Sequence, residues 1–416
     1  MNDTVTFADV RQARDRLRAG GLVETPCPDS IPISELCGCQ IFCKLDYLQR
    51  TGSFKERGAR NALLLLPTDQ RAQGVIAASA GNHALGLAYH GQLLGVPVTV
   101  VMPRFAPLIK VATCRRLGAT VVLHGETLAA AKAHAEELTV AQGLTYIHGY
   151  DDPAIIAGQG TLALEVLEQV PDAAAIIVPA GGGGLLAGVT LGVTAAKRPV
   201  QVIGVEPATM PSLTAALAAG QPVDVPATST LADGLAVSRV GARSFGVLRD
   251  RVTRVVTVSE HSIALAVLRL LELEKSVVEG AGAAGLAAFL EGQLPELAGK
   301  KVVLLLTGGN IDPTILPRII ENGLVADGRL CRFAAKISDR PGSLARLTQL
   351  LATTGVSVRD IEHDRMFSGP DVTAVRVICT VETNDHAHVQ RLRAALQEAG
   401  IAVTFATPDA QSSAAK

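Results

Sequence analysis

The chain of 416 residues has no tryptophan, only four tyrosines and nine phenylalanines, so aromatic residues make up 3% of it. Its core must be packed from Leu, Val, Ile and Ala rather than from rings. It has almost no net charge: 38 Lys and Arg stand against 39 Asp and Glu. That balance argues against the basic face of a nucleic-acid binder, so no nucleic-acid partner is expected. Long apolar runs are missing too. Ala173 to Val178 and Val302 to Leu306 fall far short of the roughly 20 residues needed to cross a bilayer, so no membrane partner is expected. Met1 to Arg18 lacks the apolar centre of a signal peptide. Cysteine is sparse and odd in number, seven from Cys27 to Cys379, which does not read as a disulfide framework; a cytoplasmic location is expected. Cys37, Cys39 and Cys43 cluster without a paired CxxC or a nearby His. They read as core fillers, and no metal is expected.

What the chain does have is 48% hydrophobic residues and 40 glycines, enough for two to three domains. From about residue 20 to 315, short apolar runs alternate with Ala-rich helical stretches. Val75–Ala78 precedes Ala84–Leu94, Val98–Met102 precedes Pro107–Leu117, and Thr120–Leu123 precedes Leu128–Gln142. Ile176–Pro179 precedes Leu185–Lys197, and Val200–Val205 and Val302–Leu306 have the same character. The pattern predicts an α/β fold with a mostly parallel sheet buried on both faces. It changes at 323–328, an expected linker. Residues 329–405 then read as βαββαβ, a ferredoxin-like unit. Its strands are Leu330–Ile337, Val356–Ile361, Val372–Thr380 and Ile401–Phe405, its first helix is capped by Ser343, and its second is capped by Asp385 or Asn384. Residues 406–416 are expected to be a disordered tail.

Four segments carry chemistry. Ser53-Phe54-Lys55 places a lysine at an expected helix start behind a Ser cap. The positive helix end would lower its pKa and favour the free amine that a Schiff base to an aldehyde needs. A solvated lysine in a charged first turn is the bland alternative. Gly181-Gly182-Gly183-Gly184-Leu185 follows a buried strand and opens a helix. Consecutive backbone amides there suit one phosphate monoester, and neither a Walker loop nor a dinucleotide fingerprint matches. Ser79-Ala80-Gly81-Asn82-His83 lies at another strand-to-helix turn and could hold a carboxylate. Thr307 places a neutral hydroxyl at the end of a central strand, where ligands bind in such sheets. Amine, phosphate nest, carboxylate turn and neutral hydroxyl together match pyridoxal 5'-phosphate bound to an amino acid.

These motifs resemble the threonine ammonia-lyase (threonine dehydratase) family, in the tryptophan-synthase-β-like group of pyridoxal phosphate enzymes. Met102-Pro103 to Ala119, Ala157-Gly158-Gln159-Gly160-Thr161, Ala232-Asp233-Gly234-Leu235-Ala236-Val237 and Glu279-Gly280-Ala281-Gly282-Ala283 add to the resemblance over about residues 20 to 320. It implies a two-part parallel-sheet fold (fold type II) over 1–322, with a smaller subdomain at about 48–152. It also implies Lys55 as Schiff-base lysine and general base, with Phe54 against the cofactor face. Asn82 would face its 3'-oxygen, Gly181 to Leu185 its phosphate and Thr307 its ring nitrogen. Residues 79–83 would bind the substrate carboxylate. His83 more simply reads as a helix-start histidine with a satisfied ring. Glu279 could approach the cofactor rim or pair with an Arg. The unit at 329–405 resembles an ACT domain whose Asp339-Arg340-Pro341-Gly342 turn would hold an effector, with a branched-chain amino acid as the candidate. A homodimer or homotetramer is expected. Activity on serine or 3-hydroxyaspartate is the alternative within the fold, and an amino-acid sensor with an inert large domain is the alternative outside it. There are departures from the family pattern. Leu85 and Tyr47 stand where Gln and Asn are common. Ala80 stands where related racemases place a second serine base. Ser212 stands where some relatives place an acidic cation ligand after Glu206-Pro207.

Overall fold

The structure, a computed structural model, describes residues 4–196, 199–365 and 373–406. The chain forms two compact units, the boundary falling between Leu316 and Pro317.

The strands of the first unit, in chain order, are β1 (Gln40–Lys44), β2 (Val75–Ala78), β3 (Val98–Met102), β4 (Thr120–Leu123), β5 (Thr145–Tyr146), β6 (Ala175–Pro179), β7 (Gln201–Pro207), β8 (Arg254–Val258) and β9 (Lys301–Leu305). They build two sheets, one in the order β1-β9-β6-β7-β8 and one in the order β4-β3-β2-β5. Every pairing in both sheets is parallel. The apolar runs without alternation explain this, because helices cover both faces and strands such as β6 are buried along their whole length. Helix signals work locally as well. Asp152 accepts hydrogen bonds from the Ala154 and Ile155 amides and, with Pro153 as first residue, starts the helix Pro153–Gln169. That helix packs on Gly184–Gly192 through small residues, since a side chain at Gly188 would meet the Ile156 carbonyl and Gly160. The latter helix is shorter than its sequence pattern. It passes into a 3-10 turn at Val193–Ala195, and Lys197 lies outside the described residues.

The second unit is a sheet in the order β11-β12-β10-β13, from β10 (Leu330–Ser338), β11 (Ser357–Asp364), β12 (Ala374–Glu382) and β13 (Ala402–Phe405), all antiparallel. Helices Ser343–Thr354 and His386–Glu398 bury Leu347, Leu351, Leu392 and Leu396 against Phe333, Val375 and Val377. Two expectations are corrected here. Residues 323–326 are not a linker but the end of the helix Leu316–Ala326, which buries Ile319 and Gly323; Gly323 sits inside its helical pattern instead of ending it. Ser343 does not cap its helix. Gly342 does, at φ +87°, without a side-chain bond, and Ser343 is the first helical residue. Asp385 caps the second helix through the His388 amide. The expected strand start at Val372 and the tail from Thr407 to Lys416 lie outside the described residues; Ala406, where the tail was expected to begin, still bonds the Arg332 carbonyl through its amide. No helix among the described residues is long and apolar enough to cross a membrane.

Candidate active site

The expected site residues of the first unit converge. Phe54, Lys55, Ser79, Ala80, Gly81, Asn82, His83, Gly181, Gly182, Gly183, Gly184, Leu185 and Thr307 all line one cavity of about 400 Å³. They come from the ends of β2, β6 and β9 and from the loop before the helix Lys55–Leu65. That loop is stitched to the end of β9. The Phe54 amide donates to the Thr307 carbonyl at 2.9 Å, Ser53 pairs with Gly308, and the Gly309 amide donates to the Gly52 carbonyl at 3.0 Å. Lys55 is thereby fixed relative to Thr307.

The amine of Lys55 donates to the Gly149 carbonyl at 2.9 Å and lies 5.1 Å from the centre of the Phe54 ring. Its pKa is lowered from 10.5 to about 8 by burial, against an opposing pull from Glu279. The cause differs from the sequence expectation. Ser53 caps nothing, its hydroxyl is buried without a partner, and Phe54 occupies the N-cap position. Loss of water around the ammonium lowers the pKa.

The glycine run is held by packing. Side chains at Gly182 or Gly184 would run into Tyr150, and one at Gly181 would sit 3.1 Å from the Leu235 Cα. Gly183 has φ +88°, which favours glycine. The run leads straight into the helix start at Gly184. In the carboxylate turn, the Gly81 amide donates to the Ser79 hydroxyl at 3.2 Å. His83 is buried, with Nε2 at 3.1 Å from the Ile147 carbonyl. Burial first and Lys55 second push its pKa down to about 3, so it is a neutral histidine. Half of the bland reading holds: one ring nitrogen is satisfied, but Nδ1 is buried without a partner.

Among the described residues Glu279 pairs with no Arg. It accepts from Asn82 Nδ2 at 2.8 Å, at the cavity wall. Burial and then Asp233 raise its pKa to about 7, against Lys110 and the Asn82 bond. Lys110 and Asp233 pair at 3.3 Å at the cavity rim. Gly149, Tyr150, His148 and Lys132 also line the cavity and were not expected. No motif in the sequence marks them, whereas Lys110 and Asp233 to Val237 lie in segments that carry the family resemblance. Behind the loop lies a buried ionic cluster. Arg57 holds Asp46 at 2.7 and 2.8 Å and pairs with Glu165, which also takes Lys44 at 2.6 Å. Glu206 has its oxygens filled by the Leu213 and Thr214 amides and the Thr214 hydroxyl, so it works as a helix-start acceptor.

In the second unit Asp339, Arg340, Pro341 and Gly342 line a cavity of about 380 Å³ with His363 and Arg365. Asp339 is held by Arg365 through contacts of 3.0 to 3.2 Å.

Residues 19–308 match the family described as pyridoxal-phosphate dependent enzyme, and residues 335–399 match the ACT domain. The first unit is thus a pyridoxal phosphate enzyme. Its residues fit the cofactor: a buried amine of lowered pKa for the aldehyde, a side-chain-free nest at a helix start for the phosphate, and a neutral hydroxyl at Thr307. The chain is 44% identical to the L-threonine ammonia-lyase of Geobacter sulfurreducens, over 95% of this chain and 98% of that one. It is 40% identical to the L-threonine ammonia-lyase of Thermotoga maritima, over 96% and 99%. The solved structure of processed threonine deaminase isoform 2 from Solanum lycopersicum is 34% identical, covers 76% of this chain and 88% of its own, and superposes with a TM-score of 0.72. The chain belongs to the threonine ammonia-lyase family of pyridoxal phosphate enzymes, with a C-terminal ACT domain of the kind that binds amino-acid effectors.

Proposed function

We propose that the chain converts L-threonine to 2-oxobutanoate and ammonia, with L-serine as a second substrate. The observation that carries the reading is the Lys55 amine, brought to a pKa of about 8 inside the cavity between the glycine nest and the Ser79–His83 turn. The bound cofactor supplies an electron-accepting ring that stabilises negative charge at the substrate Cα. Lys55 would hold the aldehyde, and its free amine would be placed to take the substrate Cα proton as general base. The nest at Gly181 to Leu185 holds the phosphate at a helix start. The turn at Ser79 to His83, opening the helix Asn82–Leu94, holds the substrate carboxylate. Thr307 offers the ring nitrogen a hydroxyl, which cannot keep it protonated as a carboxylate would. That would keep negative charge near Cα and favour loss of the β-hydroxyl over transamination. Ala80 offers no base on the opposite face, which favours elimination over racemisation. Water lost at Cβ is regained when the released enamine hydrolyses, so the net product besides the oxo acid is ammonia.

A 2-oxo acid assay of the cofactor-loaded protein on L-threonine, L-serine and 3-hydroxyaspartate tests the reading. It expects 2-oxobutanoate from threonine as the fastest product, and none at all would overturn it. The ACT cavity around Asp339 to Gly342 supports binding of a branched-chain amino acid, its carboxylate at the start of the helix Ser343–Thr354. Phe105, Leu108 and Ile109 are 80%, 86% and 56% exposed, an apolar face that a second copy would cover, which supports a homodimer or homotetramer. The seven cysteines are free thiols, which suits a reducing cytoplasm.

A further inference from the structure

Asn82 is the residue expected to face the 3'-oxygen of the cofactor, and it can help or hinder. An amide turned with nitrogen inward donates a hydrogen bond to that oxygen, whereas one turned with oxygen inward repels it. Chemistry fixes which way it turns. The Thr51 carbonyl can only accept, and it takes Asn310 Nδ2 at 2.7 Å. Asn310 therefore has its nitrogen on that side, and the same nitrogen lies 2.8 Å from Asn82, whose atom there must accept and is Oδ1. Nδ2 of Asn82 is left on the other side, 2.8 Å from Glu279 Oε1. One of its two hydrogens serves Glu279 and the other remains for the cavity.

Glu279 is well placed to act as the fixed end of this chain. It is 4% exposed and its amide is bonded to the Gly308 carbonyl at 2.9 Å. Its carboxyl lies flat against Gly308, where no side chain could fit. The other end, Thr51, belongs to the loop that carries Lys55. One line of hydrogen bonds thus ties the amine-bearing loop, the ring-facing amide and the start of the helix Gly280–Leu290.

We propose that Glu279 and Asn310 are positioning residues which lock the Asn82 amide with its nitrogen toward the cofactor. The inference rests on the pyridoxal phosphate reading of the cavity and adds the reason that a buried carboxylate is kept there. Neither residue need touch the substrate. The acceptor oxygen matters more than the charge, so a glutamine at 279, whose own carbonyl can accept from Asn82, should serve where an apolar side chain cannot.

The test measures the cofactor dissociation constant and the absorption spectrum of full-length wild type, Glu279→Gln, Glu279→Leu and Asn310→Ala after removal and return of pyridoxal phosphate. Apo-protein melting temperatures are recorded alongside. We expect Glu279→Leu and Asn310→Ala to bind about tenfold more weakly, the scale of one lost hydrogen bond to a buried charged group. We expect Glu279→Gln to bind within about threefold of wild type. The weak binders should also shift the bound spectrum toward the form with a neutral 3'-hydroxyl, which loss of stability alone would not do. Should Glu279→Leu fail to fold, Asn310→Ala carries the test from the other end. Wild-type affinity and spectrum in Asn310→Ala and Glu279→Leu would overturn the proposal while leaving the enzyme reading intact. Glu279→Gln as damaged as Glu279→Leu would overturn it too, because charge rather than the acceptor would then be at work. A wild-type protein that takes up no cofactor would overturn both.

Discussion

Only the free amine of Lys55 can attach the cofactor, so the rate at which apoenzyme takes up pyridoxal phosphate reads the pKa of that lysine. Burial brings it from 10.5 to about 8. At about pH 7 a lysine of pKa 10.5 is free amine to about 0.03%, and one of pKa 8 to about 9%, so attachment should run about 300-fold faster than at an exposed lysine of equal nucleophilicity. Uptake should fall about tenfold per pH unit below 7 and level off above about 8. Stopped-flow absorbance on apoenzyme between about pH 6 and about pH 9.5, with Lys55→Ala as the blank, measures the profile. Glu279→Gln sharpens the test. Glu279 holds the Lys55 pKa up, so its neutral replacement should move the inflection below 8. An inflection near 10, or one that moves upward in Glu279→Gln, would refute the burial argument. Stability follows with a definite sign. Between pH 8 and 10.5 the unfolded chain holds a proton on this lysine that the folded chain has released, so apoenzyme stability should rise with pH across that window. The full difference is about 3 kcal/mol, and it should vanish in Lys55→Met.

Gly182→Ala should weaken cofactor binding at least about tenfold by driving a methyl into the Tyr150 ring, while Gly246→Ala, with open space around it, should be silent in the same dialysis assay. Arg57→Met should cost about 3–5 kcal/mol in denaturant titration, because it leaves Asp46 as a buried charge without its guanidinium while Glu165 is left with Lys44. Ala80→Ser should raise the ratio of serine racemisation to elimination by supplying a base on the second face; a well-folded variant making no D-serine would strip Ala80 of the role given to it. Ending the chain at Leu316, where the first unit ends, should leave turnover but erase any response to isoleucine or valine, a coupling of about 1–3 kcal/mol. A full-length enzyme unmoved by every branched-chain amino acid would reduce the second unit to a structural role.

The sheets were readable because parallel strands buried on both faces leave plain apolar runs. β2, β3 and β4 fall where Val75–Ala78, Val98–Met102 and Thr120–Leu123 put them. β1 and β8 escaped. Gln40–Lys44 ends in a lysine that is buried only because Glu165, Gln169 and the Thr25 carbonyl surround it. Arg254–Val258 begins exposed at the sheet edge. A polar residue buried by distant partners looks like a loop until those partners are in place. Gly323 misled in the opposite direction, since a glycine that stops one helix can lie within another when its neighbours bury an apolar face.

The site divides along the same line. Glycine runs and short turns act through their own backbone, so Gly181 to Gly184 and Ser79 to His83 announce themselves locally. Lys55 is legible as a residue but not in its cause, because its amine is held by the Gly149 carbonyl, 94 residues along the chain. The sequence around Glu279 allows two roles for the same reason. A carboxylate shows its purpose only through what it meets, and what it meets is Asn82, itself turned by Asn310, itself turned by a carbonyl four residues before the catalytic lysine. Motifs name the groups that touch the cofactor, whereas the direction in which those groups face is set by bonds between segments that the sequence keeps far apart.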